Sequence, residues 1–236
     1  MKSYKIYNAS MMINIDKNLR SELTRRKTTP TIVADILRTA ILKGELKGGQ
    51  QLIQADIAEQ FGMSRIPVRE ALKQLEMEGL VKQYPNKGAV ISELSADEVQ
   101  EIYEIRSLLE TGAIKLSIEN LSEEDLEQAE NLLKEIDRAE DVNKWIELNW
   151  EFHSCLYAPA NRPRLLSIVN NLHINVGRYI RIYLGMMNFE EKSQEEHYKI
   201  LNACKEGNAQ EAANLIEEHL KNVSMTLVSY LNERNK

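Results

Sequence analysis

Residues 62–80, GMSRIPVREALKQLEMEGL, are the stretch that decides how this chain folds. The stretch predicts one helix whose two ends are both marked by particular residues. Ser64 is a good N-cap, because its hydroxyl can accept a hydrogen bond from the free amides of the first turn. Pro67 lies in that first turn, where its missing N–H is tolerated. Gly79 is placed to end the helix in a left-handed conformation.

The predicted helix has an apolar face and a basic face. The apolar residues recur at helical spacing and are Val68, Ala71, Leu72 and Leu75. The basic residues Arg65, Arg69 and Lys73 recur at i, i+4 and i+8 on a different face. An apolar back, a basic front and a glycine turn before the helix are typical of the second helix of a helix-turn-helix, which lies in a DNA groove. The alternative is a surface helix whose arginines are only solvated.

The surrounding residues predict a winged helix over residues 28–93. Apolar periodicity indicates a first helix over 28–43 and a short second helix over 54–61. After Gly79, residues 80–83 and 89–92 alternate and flank the turn YPNKG, so they predict a β-hairpin with Asn86, Lys87 and Gly88 at its tip. Residues 1–27 are expected to form a flexible, mildly basic extension; an arm that touches the DNA backbone is the sharper alternative.

From Ser95 onward the strand patterns end, and the sequence predicts an antiparallel bundle of six amphipathic helices over residues 95–236. The helices are expected at about 95–117, 122–139, 142–157, 163–184, 190–205 and 208–232. Ser95 with Glu98, Ser122 with Asp125 and Asn208 with Glu211 are the predicted N-terminal caps. The apolar side of the first helix is expected to carry Val99, Ile102, Tyr103, Ile105, Leu108 and Leu109. The fold class is therefore mainly α, an N-terminal winged helix-turn-helix followed by a C-terminal all-α antiparallel helical bundle.

The charge distribution separates a basic head from an acidic body. The net charge is −6, but residues 1–95 carry 15 Lys and Arg against 10 Asp and Glu, whereas residues 96–236 carry 15 against 26. A basic head suits a polyanionic partner. The two cysteines do not form a disulfide framework, and neither a secretory signal nor an apolar run of membrane-spanning length is present, so a cytoplasmic protein with no membrane partner is expected.

Four histidines lie in the helical part of the chain: His153, His173, His197 and His219. Asn149 and His153 are four residues apart and share one helical face, while His197 and His219 lie within two other helices. Read from spacing alone, helical histidines are more often surface or structural residues than ligands. His173 matches no ligand pattern and is treated as ordinary.

Residues 42–91, LKGELKGGQQLIQADIAEQFGMSRIPVREALKQLEMEGLVKQYPNKGAVI, resemble the DNA-binding domain of the GntR family of bacterial transcription regulators. The helical part contains EIYEIRSLLE, NWEFH, EEHYKIL and EEHL in that order, and it resembles the effector domain of the FadR subgroup. The resemblance implies a homodimeric regulator, expected to be a repressor, that binds a palindromic double-stranded operator. It also implies that a small-molecule effector in the helical domain controls the affinity for DNA.

Family positions that contact DNA are matched by Ser64, Arg65 and Arg69, and Lys73 extends the same basic face. Lys87 and Gly88 match the wing tip, which the family places in the minor groove. Near the helix N-terminus, Arg65 can bind the O6 and N7 acceptors of a guanine, whereas Arg69 can do the same or hold a phosphate. The chain departs from some relatives at Ala55, where they carry a basic residue that contacts the DNA backbone.

The resemblance also implies a divalent metal ion held by Asn149, His153, His197 and His219. Zinc or nickel suits imidazole-rich ligands better than manganese does. Relatives usually have an aspartate at the position of Asn149. Because an asparagine is neutral, the metal ion keeps its full +2 charge, which would attract an anionic effector such as an organic acid. Arg106 matches a position that faces the effector pocket. Arg178 and Arg181 are further effector candidates, although surface salt bridges would explain them equally well.

Two other function classes compete with the regulator. A metal with three histidines and an open position can activate water, so a metal-dependent hydrolase with an accessory DNA-binding domain is the main alternative. Its candidate general bases are Glu151, Glu195 and Glu196, and the sequence contains no nucleophile elbow, P-loop or dinucleotide fingerprint. An architectural DNA-coating protein is disfavoured because the winged helix has few basic residues.

Overall fold

The computed structural model describes residues 28–184 and 189–234, without the side chains of Arg178, Arg234 and residues 181–184 and 189–191. The predicted extension over residues 1–27 lies outside the described residues. The chain divides into two compact units, with the division between Ser92 and Glu93. No helix in the described ranges is both long and apolar enough to cross a bilayer.

The described part of the first unit, residues 28–92, contains three helices and a small antiparallel sheet. The helices are α1 (Thr29–Leu42), α2 (Gln54–Phe61) and α3 (Arg65–Met77), and the strands are β1 (Gln51–Leu52), β2 (Val81–Tyr84) and β3 (Gly88–Ile91). The strand order is β1-β3-β2. The hairpin of β2 and β3 was predicted within one residue. Strand β1 was not, because two residues are too few to show an alternating pattern and they form a strand only by pairing with Val90 and Ala89.

Helix α3 packs against α1, α2 and β2, with its predicted apolar face directed inward. Val68, Ala71, Leu72 and Leu75 are fully buried. Gly79 ends the helix as expected: its φ is +74°, its N–H donates to Glu76, and the Leu80 N–H donates to Leu75 at 3.0 Å. This pair of bonds satisfies carbonyl groups that the helix end would otherwise leave open.

The expected capping bond of Ser64 is wrong. Ser64 has the extended backbone of an N-cap, but its hydroxyl accepts no bond from the first turn. The reason lies in the neighbouring sequence, since an N-cap hydroxyl accepts from the second or third residue of the helix and the third residue here is Pro67, which has no N–H. The Ser64 hydroxyl is exposed instead.

Where the second unit is described, it contains six long helices and one short 3₁₀ turn. They are α4 (Ala96–Ile118), α5 (Glu123–Ile136), α6 (Val142–Tyr157), the 3₁₀ turn (Ala158–Ala160), α7 (Pro163–Leu184), α8 (Phe189–Lys205) and α9 (Ala209–Arg234). Helix α4 packs along α9 and also contacts α6 and α7, while α5 contacts α6 and α8. Both predicted capping boxes form, and Asn208 accepts from the Glu211 N–H. The predicted fold class is confirmed.

The predicted apolar face of α4 is partly wrong. Leu108 is 77% exposed and Ile105 is 38% exposed, although both were expected to face the core. Arg106 and Glu110 are buried instead, joined by a 2.6 Å bond from the arginine Nε to a carboxylate oxygen. Helix α4 turns its charged pair inward because each charge neutralises the other there.

Candidate DNA interface and candidate metal centre

The basic face of α3 is exposed along its length. The side chains of Arg65, Arg69 and Lys73 all reach solvent, and none forms an ion pair with another described residue. Ile66 is 59% exposed between the two arginines, a position that the sequence analysis overlooked. Three cations and one apolar group therefore line a single helical surface. Cationic side chains can bind base edges and phosphates, and an apolar side chain can contact a thymine methyl group.

The tip of the hairpin presents the remaining predicted DNA-binding residues. Lys87 and Gly88 are exposed at the turn between β2 and β3. Gly88 has φ of +69° and no atom lies within 4 Å of the position of an added Cβ, so the backbone of the wing tip is open to solvent. The Gln51 amide donates to the Lys87 carbonyl, which ties the wing tip to β1.

Three of the predicted metal ligands come together in the core of the helical unit. His153 on α6, His197 on α8 and His219 on α9 offer nitrogen atoms that all lie within 4.8 Å of one another. Each imidazole is at most 4% exposed. Three helices that are far apart in sequence therefore place three imidazoles around one point.

Oxygen acceptors hold two of the imidazoles through Nδ1. The His219 Nδ1 lies 2.7 Å from a Glu196 carboxylate oxygen, and the His197 Nδ1 lies 3.1 Å from the Gln194 amide oxygen. Because a carboxylate and an amide oxygen only accept, both Nδ1 atoms carry the proton. Both Nε2 atoms are consequently in the form that binds a metal.

The third imidazole is oriented by a chain of buried groups. The Tyr157 hydroxyl donates to Glu110 at 2.9 Å, so its oxygen is left to accept from the His153 Nδ1, which lies 3.4 Å away. Glu110 also accepts from Arg106. All three histidines therefore have an oxygen partner at Nδ1 and leave Nε2 toward the cluster.

The partners of the histidines are themselves held in place. Glu196 accepts from the Asn222 amide at 2.7 Å, and the Gln194 amide donates to the Leu133 carbonyl and to Asp137, both at 2.9 Å. Burial raises the pKa of Glu196, but the hydrogen bonds from His219 and Asn222 and the nearby positive charges together lower it overall. Glu196 is therefore a carboxylate where His219 needs an acceptor.

Asn149 supplies an oxygen without a hydrogen-bond partner. Its side chain is 8% exposed, and its Oδ1 has no partner among the described residues. Asn149 lines one cavity of about 30 Å³ together with His153, His219, Arg106 and His173. A buried, unpaired amide oxygen in the same cavity as two of the three clustered histidines is the kind of donor that a divalent ion accepts, so these residues fit a bound metal.

The electrostatics of the site keep the His153 and His197 imidazoles neutral and the Arg106 guanidinium charged. Burial lowers the pKa of both His153 and His197, and neighbouring histidines lower it further. Burial also lowers the pKa of Arg106, but Glu110 and two tyrosines raise it by more. The cavity is thus lined by a guanidinium that is paired with Glu110 and lies close to the neutral His153. The side chains of the other two predicted effector residues, Arg178 and Arg181, lie outside the described residues.

Several residues of this site were missed by the sequence analysis. Glu110 and Tyr157 were read as ordinary helix residues, and His173 was dismissed. Glu196 was considered only as a general base, yet its carboxylate oxygens accept from His219 and from Asn222. No sequence signal reveals these roles, because each depends on which helix lies opposite.

Comparison with known proteins matches both units of the chain. The model of the FCD domain matches residues 101–222, and the model described as bacterial regulatory proteins, gntR family, matches residues 31–91. The HTH-type transcriptional regulator LutR of Bacillus subtilis is 32% identical over 216 residues, which are 82% of this chain and 98% of LutR. The uncharacterized HTH-type transcriptional regulator YdhC of Bacillus subtilis is 34% identical over 202 residues, 79% of this chain and 88% of YdhC.

A solved structure has a similar fold over most of the chain. E. coli McbR/YncC aligns with a TM-score of 0.75 at 25% sequence identity, over 89% of this chain and all of that one.

Proposed function

The chain belongs to the GntR family of bacterial regulatory proteins and carries an FCD domain, and on that premise we propose that it is a metal-containing repressor whose operator affinity is set by a small carboxylate. It is a transcriptional regulator with a DNA-binding head and a helical effector domain. The observation that carries the finer proposal is the group of three Nδ1-anchored histidines next to an unpaired Asn149 oxygen and a buried Arg106.

In this proposal α3 enters the major groove and the hairpin reaches the minor groove. Arg65, nearest the helix N-terminus, reads a guanine, and Arg69 and Lys73 extend the contact along the helix. Ser64 binds a phosphate oxygen, an assignment supported by its exposed hydroxyl, which caps no amide of its own helix. Lys87 supplies a further cation at the wing tip.

The helical unit binds a divalent ion through Asn149, His153, His197 and His219. Zinc or nickel fits this set because three of the four ligands are imidazoles. Bound there, the ion supplies a positive charge with open coordination positions. All four ligands are neutral, so the ion and Arg106 together attract an anion into the cavity.

We further propose that the protein acts as a homodimer joined through α4 and α9. An open groove of about 540 Å³ runs between these helices, lined in part by Leu108 and Met225, whose side chains are 77% and 53% exposed. Glu104 and Lys221 line the same groove. In a two-fold symmetric dimer, the apolar residues of this surface would pack against those of the partner, and Glu104 could pair with Lys221 of the other copy. The two DNA-binding domains would then bind the two halves of a palindromic operator.

The regulator is favoured over the metal-dependent hydrolase by the position of the carboxylates. Glu196 accepts from His219 and from Asn222, so it serves to orient a ligand. Glu151 and Glu195 are exposed on the surface of their helices, whereas the cluster is buried. A hydrolytic water would need a base beside the ion.

The test is operator binding with the metal site filled and emptied. A genomic DNA fragment selected by the purified protein would be titrated in fluorescence anisotropy, with zinc, with nickel or with a chelator, and with a panel of small carboxylates. We expect a carboxylate to weaken DNA binding by about tenfold or more with metal present and to have no effect after chelation. Equal carboxylate responses with and without metal would contradict the proposal.

A further inference from the structure

His173 is a polar residue of the effector cavity that has no assigned role. It lies on α7, is 7% exposed and lines the same cavity as Arg106, Asn149 and His153. Its Nδ1 has no hydrogen-bond partner among the described residues. A buried polar nitrogen without a partner is costly, so its presence beside a cavity indicates that something in the cavity completes it.

The His173 ring is fixed in orientation. It stacks on the Trp150 indole with ring centroids 4.0 Å apart and planes 13° from parallel. Stacking over this area resists rotation of the imidazole, because tilting the ring would separate the two faces. His173 therefore presents its nitrogen in one direction before any ligand arrives.

The His173 imidazole is neutral. Burial lowers its pKa, and the positive charge of Arg106 lowers it further. A neutral imidazole has one nitrogen that donates and one that accepts. Arg106 and the metal are the positively charged groups that take the carboxylate, so His173 is left to pair with another polar group of the ligand.

We propose that His173 binds a hydroxyl group of the effector, which is a short carboxylic acid carrying that hydroxyl. This inference rests on the proposed function, since it takes the carboxylate to bind at Arg106 and the ion. A hydroxyl both donates and accepts, so it satisfies the Nδ1 of His173 in either tautomer. The cavity is small, about 30 Å³, which favours a compact acid over a long-chain one.

The experiment compares matched acids on the zinc-loaded, full-length protein. Calorimetric titrations would pair glycolate with acetate and lactate with propionate, each pair differing only by the hydroxyl. Wild-type protein should bind the hydroxylated member about tenfold more tightly, since a buried polar group left unpaired discriminates on that scale. In His173→Phe, which keeps an aromatic ring on Trp150, the ratio between the affinities for the two members of a pair should fall to within about twofold.

Each outcome separates this inference from the function on which it rests. If wild-type protein binds both members of a pair equally, the carboxylate proposal stands and the role of His173 is wrong. If neither member of any pair binds, both proposals fail. If His173→Phe keeps the full preference for the hydroxylated acid, another residue binds the hydroxyl.

A second measurement needs no variant and so does not depend on the fold of His173→Phe. The ring nitrogens of the histidines can be observed by ¹⁵N NMR in the zinc-loaded wild-type protein. The His173 Nδ1 resonance should shift on addition of the hydroxylated acid and stay unchanged with its plain partner. The same shift with both acids would overturn the assignment.

Discussion

At the scale of single residues, the chain divides its chemistry between exposed cations and buried neutral ligands. Arg65 is exposed near the start of α3, where nothing in the described part of the chain competes for its guanidinium. Lys73 lies two turns further along the same face and carries a point charge without the planar fork of arginine. Replacing Arg65 and replacing Lys73 should therefore have different effects on DNA binding.

Arg65→Ala should lower the affinity for the preferred operator by about 1–3 kcal/mol and relax the base preference at one position of each half-site. Lys73→Ala is the matched control, and it should weaken all sequences evenly and reduce the salt dependence by about one ion. Anisotropy titrations against operator variants at several salt concentrations measure both effects. If Arg65→Ala lowers the affinity for all operator variants equally, Arg65 binds a phosphate and does not read a base.

Asn149 should control the affinity of the metal. Asn149→Asp replaces an amide oxygen with a charged one and is expected to raise zinc affinity about tenfold, and Asn149→Ala should lower it by a similar factor. Asn143→Ala is the control, because Asn143 is on the same helix and its Oδ1 is also buried without a hydrogen-bond partner, but it does not line the cavity. Competition with a chromophoric chelator gives the constants. Equal effects at the two positions would remove Asn149 from the ligand set.

At the scale of elements, the sequence predicted where helices end but did not always predict which helix face is buried. The termination of α3 at Gly79 depends on bonds within five residues, and it was predicted. The exposure of Leu108 was not predicted, because the amphipathic pattern of α4 places it on the apolar side and only the neighbouring helices decide otherwise. Strand β1 escaped prediction for the same reason, since its partner is almost 40 residues away. The inward position of Arg106 agrees with the family resemblance.

The turn between α2 and α3 should require a glycine because of its backbone conformation and not because space for a side chain is lacking. Gly62 has φ of +62° with no atom close to an added Cβ, so Gly62→Ala should destabilise the protein by about 1–2 kcal/mol through strain. Gly112 also has open space around it but lies within α4 without a positive φ, so Gly112→Ala should stabilise by up to about 1 kcal/mol. Denaturant unfolding measures both, and a stabilised Gly62→Ala would contradict this account of the turn.

At the scale of the whole molecule, assembly should depend on the exposed side of α4. Leu108→Asp places a charge in the groove and should shift the mass measured by light scattering from twice 27.2 kDa toward 27.2 kDa. Leu116→Asp is the control, because Leu116 is 43% exposed on the same helix but does not line the groove. If the dimer persists in Leu108→Asp but dissociates in Leu116→Asp, the interface includes the surface around Leu116 and not the groove.

The metal-free protein should lose stability in acid. Burial lowers the pKa of His153, His173 and His197 from 6.5, so between that value and the lower folded value the unfolded chain binds more protons. Unfolding free energy therefore rises with pH in this window: the stability is full above about pH 6.5 and declines as the pH falls below it. Melting temperatures from pH 8 to 5 with a chelator present measure the decline, which should be shallower in His173→Phe. A melting temperature that is constant or rises toward pH 5 would contradict it.

The sequence by itself determined the features that arise within one segment: the ends of α3, its basic and apolar faces, the hairpin and the capping boxes of the bundle. It also supplied the three histidines and Asn149. Only the tertiary structure decided how these residues work. The Nδ1 acceptor of His219 is 23 residues away, and Tyr157 reaches Glu110 across 47 residues. Local hydrogen bonds and periodicity are encoded in neighbouring residues, whereas the burial of Arg106 and the unpaired nitrogen of His173 exist only once the helices have packed.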